Sequence, residues 1–317
     1  MHHYSRQHII AFVLAAGIIG GYFIVFSPPA NFPSGSTVSI VQGSSAPLVA
    51  QQLADAHIIV HPGVLRFILR MAGASDRVQA GMYRFSVPEN LLTVAYRLVT
   101  GAYGLPFVNM TFPEGTTVRE MAIQIASAFP LISGEEILSA GKSYEGYLFP
   151  DTYFFPPSAD ATSIIATMRA NFDAKTVPLS DDIKTSKRSL SDIVILASLV
   201  EKEARTTASK HIVAGILLNR LQRGMPLQVD AVFGYIYDRD TYSPSPTDLT
   251  VDSPYNTYTH TGLPPGPIDN PGLDSIGAVL HPTKTNYLYY LTGNDGLMHY
   301  ATTYAGHQEN IRKYLVN

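Results

Sequence analysis

The sequence predicts an α+β protein in which a single apolar helix precedes two folded parts. Three observations predict it. At 317 residues the chain exceeds one average domain. Short period-2 runs alternate with period-3.6 stretches across turns marked by glycine or proline. An uncharged apolar run, Ile9 to Phe26, stands at the N-terminus.

The apolar run comes first. Eighteen or so residues fall within the ~17–25 that a spanning helix requires. Arg6 stands before it, and no Lys or Arg follows until Arg66. That bias places the N-terminus in the cytoplasm and the body of the chain outside. A cleaved signal peptide would have an apolar region of roughly 7–15 residues ending in a small-x-small site. This run is longer and meets Ser27-Pro28-Pro29. The expected layout is therefore a cytoplasmic tail at 1–8, an uncleaved helix at 9–26 and a Pro/Gly/Ser-rich linker at 27–36.

Composition bounds what the rest can do. A hydrophobic fraction of 46% with 15% charged residues suits a chain with a sizeable core. A net charge of −3 without a basic run argues against nucleic acid as a partner. The absence of cysteine removes disulfides, zinc ribbons and thiol nucleophiles together, and it suits an oxidising compartment.

Behind the linker, three units share one order of strand, turn and helix. Thr37 to Val41 alternate, Gly43-Ser44-Ser45 turns, and Pro47 to Leu53 is helical in period. Met82 to Val87, Pro88-Glu89-Asn90 and Leu91 to Val99 repeat that order, as do Val108 to Phe112, Pro113-Glu114-Gly115 and Thr117 to Ala126. Thr117 with Glu120 forms a capping box at the third helix start. The spacing is irregular, so a small α+β module fits better than a solenoid. His57 and His61 flank an apolar loop here and read as structural.

Between 130 and 190 the pattern is less regular, with Tyr144 to Pro157 dense in aromatics and proline. Leu190 to Arg205 is the strongest helix, capped by Ser189 or Ser191. Ile193, Val194, Ile195, Leu196, Ala197, Leu199 and Val200 are apolar all round, which predicts burial on every side. A second helix, His211 to Arg223, ends at Gly224 as a C-cap glycine would have it. Met225 to Pro282 reads as loop, and loops of that length usually carry function.

The buried helix ends in Glu201-Lys202-Glu203. At 100° per residue Glu203 continues the stripe of Leu196 and Leu199, and Glu201 continues that of Val194 and Ala197. A carboxyl at the rim of an apolar stack has its pKa raised by desolvation, as a general acid near neutrality needs. The plainer reading, that both glutamates face water where the helix leaves the core, stands beside it at this point. Asp230, Asp238, Asp240, Asp248 and Asp252 offer a second carboxylate for a hydrolase, although loop aspartates mostly form turns. Ten histidines include no HExxH and no helical pair at ligand spacing, so no metal is expected. His281 before Pro282 and His299 before Tyr300 are candidates to line a site, with a satisfied loop histidine as the plainer role for each. Without a GxSxG elbow, Walker loop or GxGxxG, no cofactor is expected.

Seven ordered segments carry a resemblance. They are Glu145-Gly-Tyr-Leu-Phe-Pro-Asp-Thr-Tyr153, Ala197-Ser-Leu-Val-Glu-Lys-Glu-Ala204, Asn219-Arg220-Leu221, Gly224-Met-Pro-Leu-Gln-Val-Asp230, Ser253-Pro-Tyr-Asn-Thr-Tyr-Thr-His-Thr-Gly-Leu-Pro-Pro-Gly266, Pro271-Gly272 and His281-Pro282. The set resembles the MltG (YceG-like) family of endolytic murein transglycosylases over nearly the whole chain. The resemblance implies a LysM-like module at 37–103 and a mixed α/β catalytic domain at 104–317, with the anchor in the cytoplasmic membrane and both domains on its outer side. It puts the catalytic acid at Glu203 and a substrate groove at Gln228, Asp230, Tyr255, Asn256, Thr257 and Tyr258, and Glu201 is counted with the substrate-binding residues. It implies glycan strands of peptidoglycan as substrate and an association with peptidoglycan synthases. Two departures occur: Ala231-Val232 stands where the family usually has Pro-Thr, and His307-Gln308 where it has His-Asn.

The chemistry so implied is cleavage of the β-1,4 bond between N-acetylmuramic acid and N-acetylglucosamine without water. The sugar's own C6 hydroxyl closes a 1,6-anhydro ring, so one carboxyl suffices. Two other classes compete: a catalytically inactive, membrane-anchored peptidoglycan-binding scaffold, and a muramidase pairing Glu203 with a loop aspartate.

Overall fold

The structure is a computed structural model that describes residues 6–41, 43–239 and 243–316; of residues 6, 7 and 9 only the backbone is described. The expected tail at 1–8 lies largely outside these residues, and Asp240 lies wholly outside them. The chain forms two compact units, Met1–Val108 with Phe154–Ala159, and Asn109–Tyr153 with Asp160–Asn317.

The first unit opens with α1 (Arg6–Phe26), whose described apolar side chains point outward; Phe12 and Ile18 are each 74% exposed. β1 (Ser36–Ile40) follows, then α2 (Ala46–Asp55), α3 (Pro62–Met71), β2 (Gly81–Phe85) and α4 (Leu91–Thr100). β1 and β2 pair antiparallel with Val38 opposite Tyr83. Their inner faces bury Val38, Ile40, Tyr83 and Phe85 against Val49, Leu53, Leu65, Leu69, Val94 and Leu98 of the helices. Alternation in the strands and period 3.6 in the helices thus meet in one core. Arg97 is buried there, 4.6 Å over the Phe85 ring, and it bonds Glu89, the Ala102 carbonyl and the Arg84 carbonyl.

The apolar loop flanked by His57 and His61 stands as a loop, and α3, which the sequence pattern did not predict, follows it with His61 as N-cap and Pro62 in its first turn. Proline is favoured there because the first helical N–H has no intrahelical partner. Among the described residues no helix is long and apolar enough to cross a membrane.

The second unit holds most of the helices, and the overall class is α+β. β3 (Val108–Thr111) pairs with β4 (Thr152–Phe155), the Thr111 and Thr152 hydroxyls lying 2.8 Å apart. α5 (Val118–Ala128) carries the expected Thr117–Glu120 capping box. The irregular stretch 130–190 is helical: α6 (Gly134–Gly141), α7 (Ala161–Thr176) and α8 (Ser180–Ser186). Its signals were the boxes Ser133–Glu136 and Asp160–Ser163, and the α7 stripe Ile164, Ile165, Met168 and Phe172 that is buried.

α9 (Leu190–Glu203), capped by Ser189, is the spine: Ile193 through Val200 are all 5% exposed or less. α10 (Thr207–Gln222) begins a turn earlier than its periodicity indicates, because Thr206 and Ser209 make a capping box. Gly215 on α10 admits close approach of another segment: a Cβ there would stand 2.3 Å from the Thr283 carbonyl oxygen. The expected loop at 225–282 contains two helices, α11 (Ala231–Ile236) and α12 (Leu273–Leu280). Neither exceeds about two turns, too short for a helical period to emerge from proline-rich surroundings. α12 nonetheless packs on both α9 and α10. The chain ends with the antiparallel hairpin β5 (Tyr289–Thr292) and β6 (Met298–Ala301), then α13 (Tyr304–Tyr314).

Candidate active site

Glu203 is the last residue of α9, and Ala204 after it is extended at φ −135°, so the helix ends at that point. The Glu203 carboxyl is partly buried at the end of the apolar spine. Burial pushes its pKa up to about 7, and the nearby Asp230 charge adds to the rise. The Tyr290 hydroxyl and the backbone N–H groups of Ala231 and Asp230 act in the opposite direction, favouring the carboxylate. Desolvation outweighs them. The carboxyl is therefore able to hold and release a proton near neutrality, the property required of a general acid that later acts as base.

Asp230 is the loop aspartate that faces Glu203. Tyr258 donates to its Oδ1 at 2.5 Å. Asp238 is engaged elsewhere with Arg119, at 2.7 Å, and Asp248 caps the turn at Ser245. Tyr258 and Tyr255 are half-exposed and pack on Phe233 and Tyr235, ring centroids 5.9 and 5.0 Å apart. Between them Asn256 and Thr257 are buried. The Asn256 amide donates to the Leu249 and Val251 carbonyls and its oxygen accepts from the Tyr258 N–H. The Thr257 hydroxyl accepts from the Val229 N–H at 2.9 Å. These two side chains hold the loop that aims Tyr258.

Gln228 is exposed and adopts a left-handed backbone at φ 52°, unusual for a residue with a side chain. Its N–H donates to the Thr257 carbonyl, and its Oε1 accepts from Arg220 Nη1 at 3.0 Å. Arg220 is 5% exposed and also donates to the Leu288 and Leu227 carbonyls, tying α10, the Gln228 turn and the start of β5 together. It belongs to the Asn219-Arg220-Leu221 segment, but nothing in sequence spacing assigned it this task.

Glu201 points elsewhere. Its Oε1 is 2.8 Å from the buried ammonium of Lys210 on α10. Its Oε2 accepts from the Gly272 N–H at 3.0 Å and from the Ser275 hydroxyl at 2.7 Å, at the start of α12. Lys210 also lies 3.7 Å from Asp274 and 3.9 Å from Glu114. Two glutamates separated by one residue thus enter unlike environments, an ion pair for Glu201 and a desolvated pocket for Glu203.

A second acid with a pKa raised to about 7 by burial is Glu145, which accepts from the Val118 N–H at 3.0 Å and the Asn270 amide at 3.1 Å. Those partners brace α5 and the Pro271-Gly272 turn. His281 bridges to Asp182 at 3.1 Å and His299 to Asp295, with its ring stacked on Tyr314, so both histidines are satisfied in place. Among the described residues no group of three or more His, Asp or Glu side chains is arranged to hold a metal. The residue sequence reasoning missed is Tyr290. Only the period of a four-residue strand could have aimed it, and that is too short a signal.

Residues 38–313 match the YceG-like family. A Bacillus subtilis (strain 168) protein named endolytic murein transglycosylase is 32% identical over 330 residues, covering 94% of this chain and 91% of that one. A protein of the same name from Streptococcus pneumoniae serotype 2 (strain D39 / NCTC 7466) is 27% identical, covering 98% of this chain and 65% of its own. A crystal structure of a yceG-like protein from Listeria monocytogenes aligns with a TM-score of 0.59 at 28% identity, over 87% of this chain and 99% of that one. With the family match spanning most of its length, the chain belongs to the YceG-like family.

Proposed function

We propose that this protein is an endolytic transglycosylase of peptidoglycan and that Glu203 carries its chemistry. The observation that carries the reading is a single carboxyl, at the end of a buried helix, whose pKa of about 7 lets it serve both as acid and as base. The names of the relatives support the substrate. Protonated Glu203 gives its proton to the glycosidic oxygen between N-acetylmuramic acid and N-acetylglucosamine as that bond breaks. The carboxylate left behind takes the proton of the C6 hydroxyl while its oxygen closes the 1,6-anhydro ring, which returns Glu203 to its starting state. The nucleophile is already part of the substrate, so proximity replaces an activated water. Tyr255, Tyr258 and Gln228 offer ring faces and polar atoms for sugar residues.

Weighing the products of digested sacculi tests this directly. Strand ends lighter by one water than hydrolysed ends are expected. Hydrolysed ends would favour a muramidase that uses the Glu203–Asp230 pair, and no cleavage would favour an inactive scaffold.

The finer layout belongs to the same proposal. α1 as a whole, 21 residues or about 32 Å, with no charge after Arg6, supports attachment to the cytoplasmic membrane through one helix with both units outside. Strand-turn-helix order in the first unit supports a LysM-like, glycan-contacting module at 37–103. Peptidoglycan synthases are proposed as partners on the resemblance alone. A reporter fused after Asn317 is expected to be active only outside the cytoplasm, with the full-length chain in the membrane fraction. A soluble mature form beginning near Phe32 would overturn the anchor.

A further inference from the structure

The hydroxyl of Tyr290 is buried and has no hydrogen-bond partner that meets bonding geometry. A buried phenol without a well-formed hydrogen bond calls for an explanation. β5 supplies the context. Its neighbour Leu288 is held by Arg220 through the backbone at 2.6 Å, and the Tyr289 ring lies 5.0 Å from the Arg220 guanidinium. Pairing with β6 sets Tyr290 opposite Tyr300. The strand is thus fixed from both sides, and it brings the Tyr290 hydroxyl close enough to Glu203 for each to shift the titration of the other.

We propose that Tyr290 is a positioning residue for the Glu203 carboxyl, donating its O–H to one oxygen so that the other, proton-bearing oxygen is the one presented to substrate. A carboxyl has two equivalent oxygens, and only one can face the scissile bond. A donor fixed to the inner oxygen removes that ambiguity, because a phenol donates to an unprotonated carboxyl oxygen. The same bond favours the carboxylate, which assists the second half of the reaction, when Glu203 must be ionised. The other titratable groups that bear on the pair are Asp230 at the start of α11, Tyr258 from the 253–266 loop and Arg220 on α10. Asp230 and Tyr258 are already bonded to each other, and Arg220 is committed to carbonyls and Gln228, so among the described side chains Tyr290 is the donor left for Glu203.

This inference rests on the assignment of Glu203 as the acid, and the experiment separates the two. The alkaline limb of the kcat/KM pH profile is measured for wild type, Tyr290→Phe, Glu203→Gln and the double variant. Removing the donor disfavours the carboxylate, so Tyr290→Phe is expected to move that limb to higher pH, to lower kcat by roughly tenfold or more, and to leave KM nearly unchanged. In the Glu203→Gln background Tyr290→Phe is expected to cost nothing further, since residues acting as a unit are not additive. Because Tyr290→Phe could weaken folding, 3-fluorotyrosine at position 290 gives a second reading in an intact site. A more acidic phenol is a stronger donor, so the limb is expected to move to lower pH. An unmoved limb in both variants, or an additive loss in the double variant, overturns the role of Tyr290 while leaving Glu203 in place. Full activity of Glu203→Gln overturns both.

Discussion

Replacing Glu203 by Gln is expected to lower the rate of anhydro-product release by about 10²–10⁴, with binding to sacculi retained. Gln keeps the size and much of the hydrogen bonding of the carboxyl but has no transferable proton, so the acid and base steps fail together. In the wild type, activity is expected to fall as pH rises through about 7, where Glu203 loses its proton before the first step. The stability effect has the opposite sign. The folded pKa lies above that of the unfolded chain, so the contribution of Glu203 to stability is present at pH below about 4.5 and is lost as pH rises through about 7. At pH 8 the variant should therefore melt at or above the wild-type temperature, as happens when a site has traded stability for function. A melting temperature well below wild type at pH 8, or unchanged activity, would show that the helix end is structural. In that case the catalyst lies among the loops at 225–282.

The largest effect on folding is expected at Lys210. Its ammonium is the cation among three carboxylates, Glu201 at 2.8 Å, Asp274 at 3.7 Å and Glu114 at 3.9 Å, and its side chain is only 5% exposed. Lys210→Met keeps most of the side-chain volume and leaves Glu201 charged and buried. Breaking a buried pair in this way typically costs ~3–5 kcal/mol, or roughly 10 °C in melting temperature for a unit of this size. Burial, and after it the charge of Glu201, already raise the pKa of Glu114. Without Lys210 that repulsion has no counter-charge, so the loss should be greater at pH 8 than at pH 5, where carboxyls take up protons. Activity per folded molecule at low temperature should persist. A loss equal at both pH values would mean that the packing of the lysine stem, not the charge, is what counts. Thermal melts at the two pH values decide it.

Legibility in the sequence followed the range of each interaction. α9 was readable because seven apolar residues around a helix can only be satisfied by burial, although it ends at Glu203, two residues short of the Arg205 its pattern indicated. α5 was readable from its capping box. The same device starts α6 at Ser133–Glu136 and α7 at Asp160–Ser163, in a stretch whose apolar residues keep no clear period. α3 hid behind a proline that starts helices as readily as it ends them. α11 and α12 were invisible to periodicity because a helix of two turns offers two or three points of a 3.6 period. The groove segment was recognised as a motif, but the motif did not reveal its division of labour. Asn256 and Thr257 face backbone groups, whereas Tyr255 and Tyr258 keep ring surface outside.

The sequence by itself determined what depends on neighbours along the chain: the α+β class, the apolar N-terminal run, the all-round apolar helix and the two carboxyls at its end. Only the tertiary structure decided which environment each carboxyl meets. Glu201 meets Lys210 from α10 and two donors at the start of α12, so its charge is compensated. Glu203 meets Asp230, two backbone N–H groups and the Tyr290 hydroxyl, and burial holds it near neutrality. Desolvation and Coulomb terms are set by distance in space. The groups that supply them come from α10, α11, α12 and β5, whose separation along the chain carries no record of their approach.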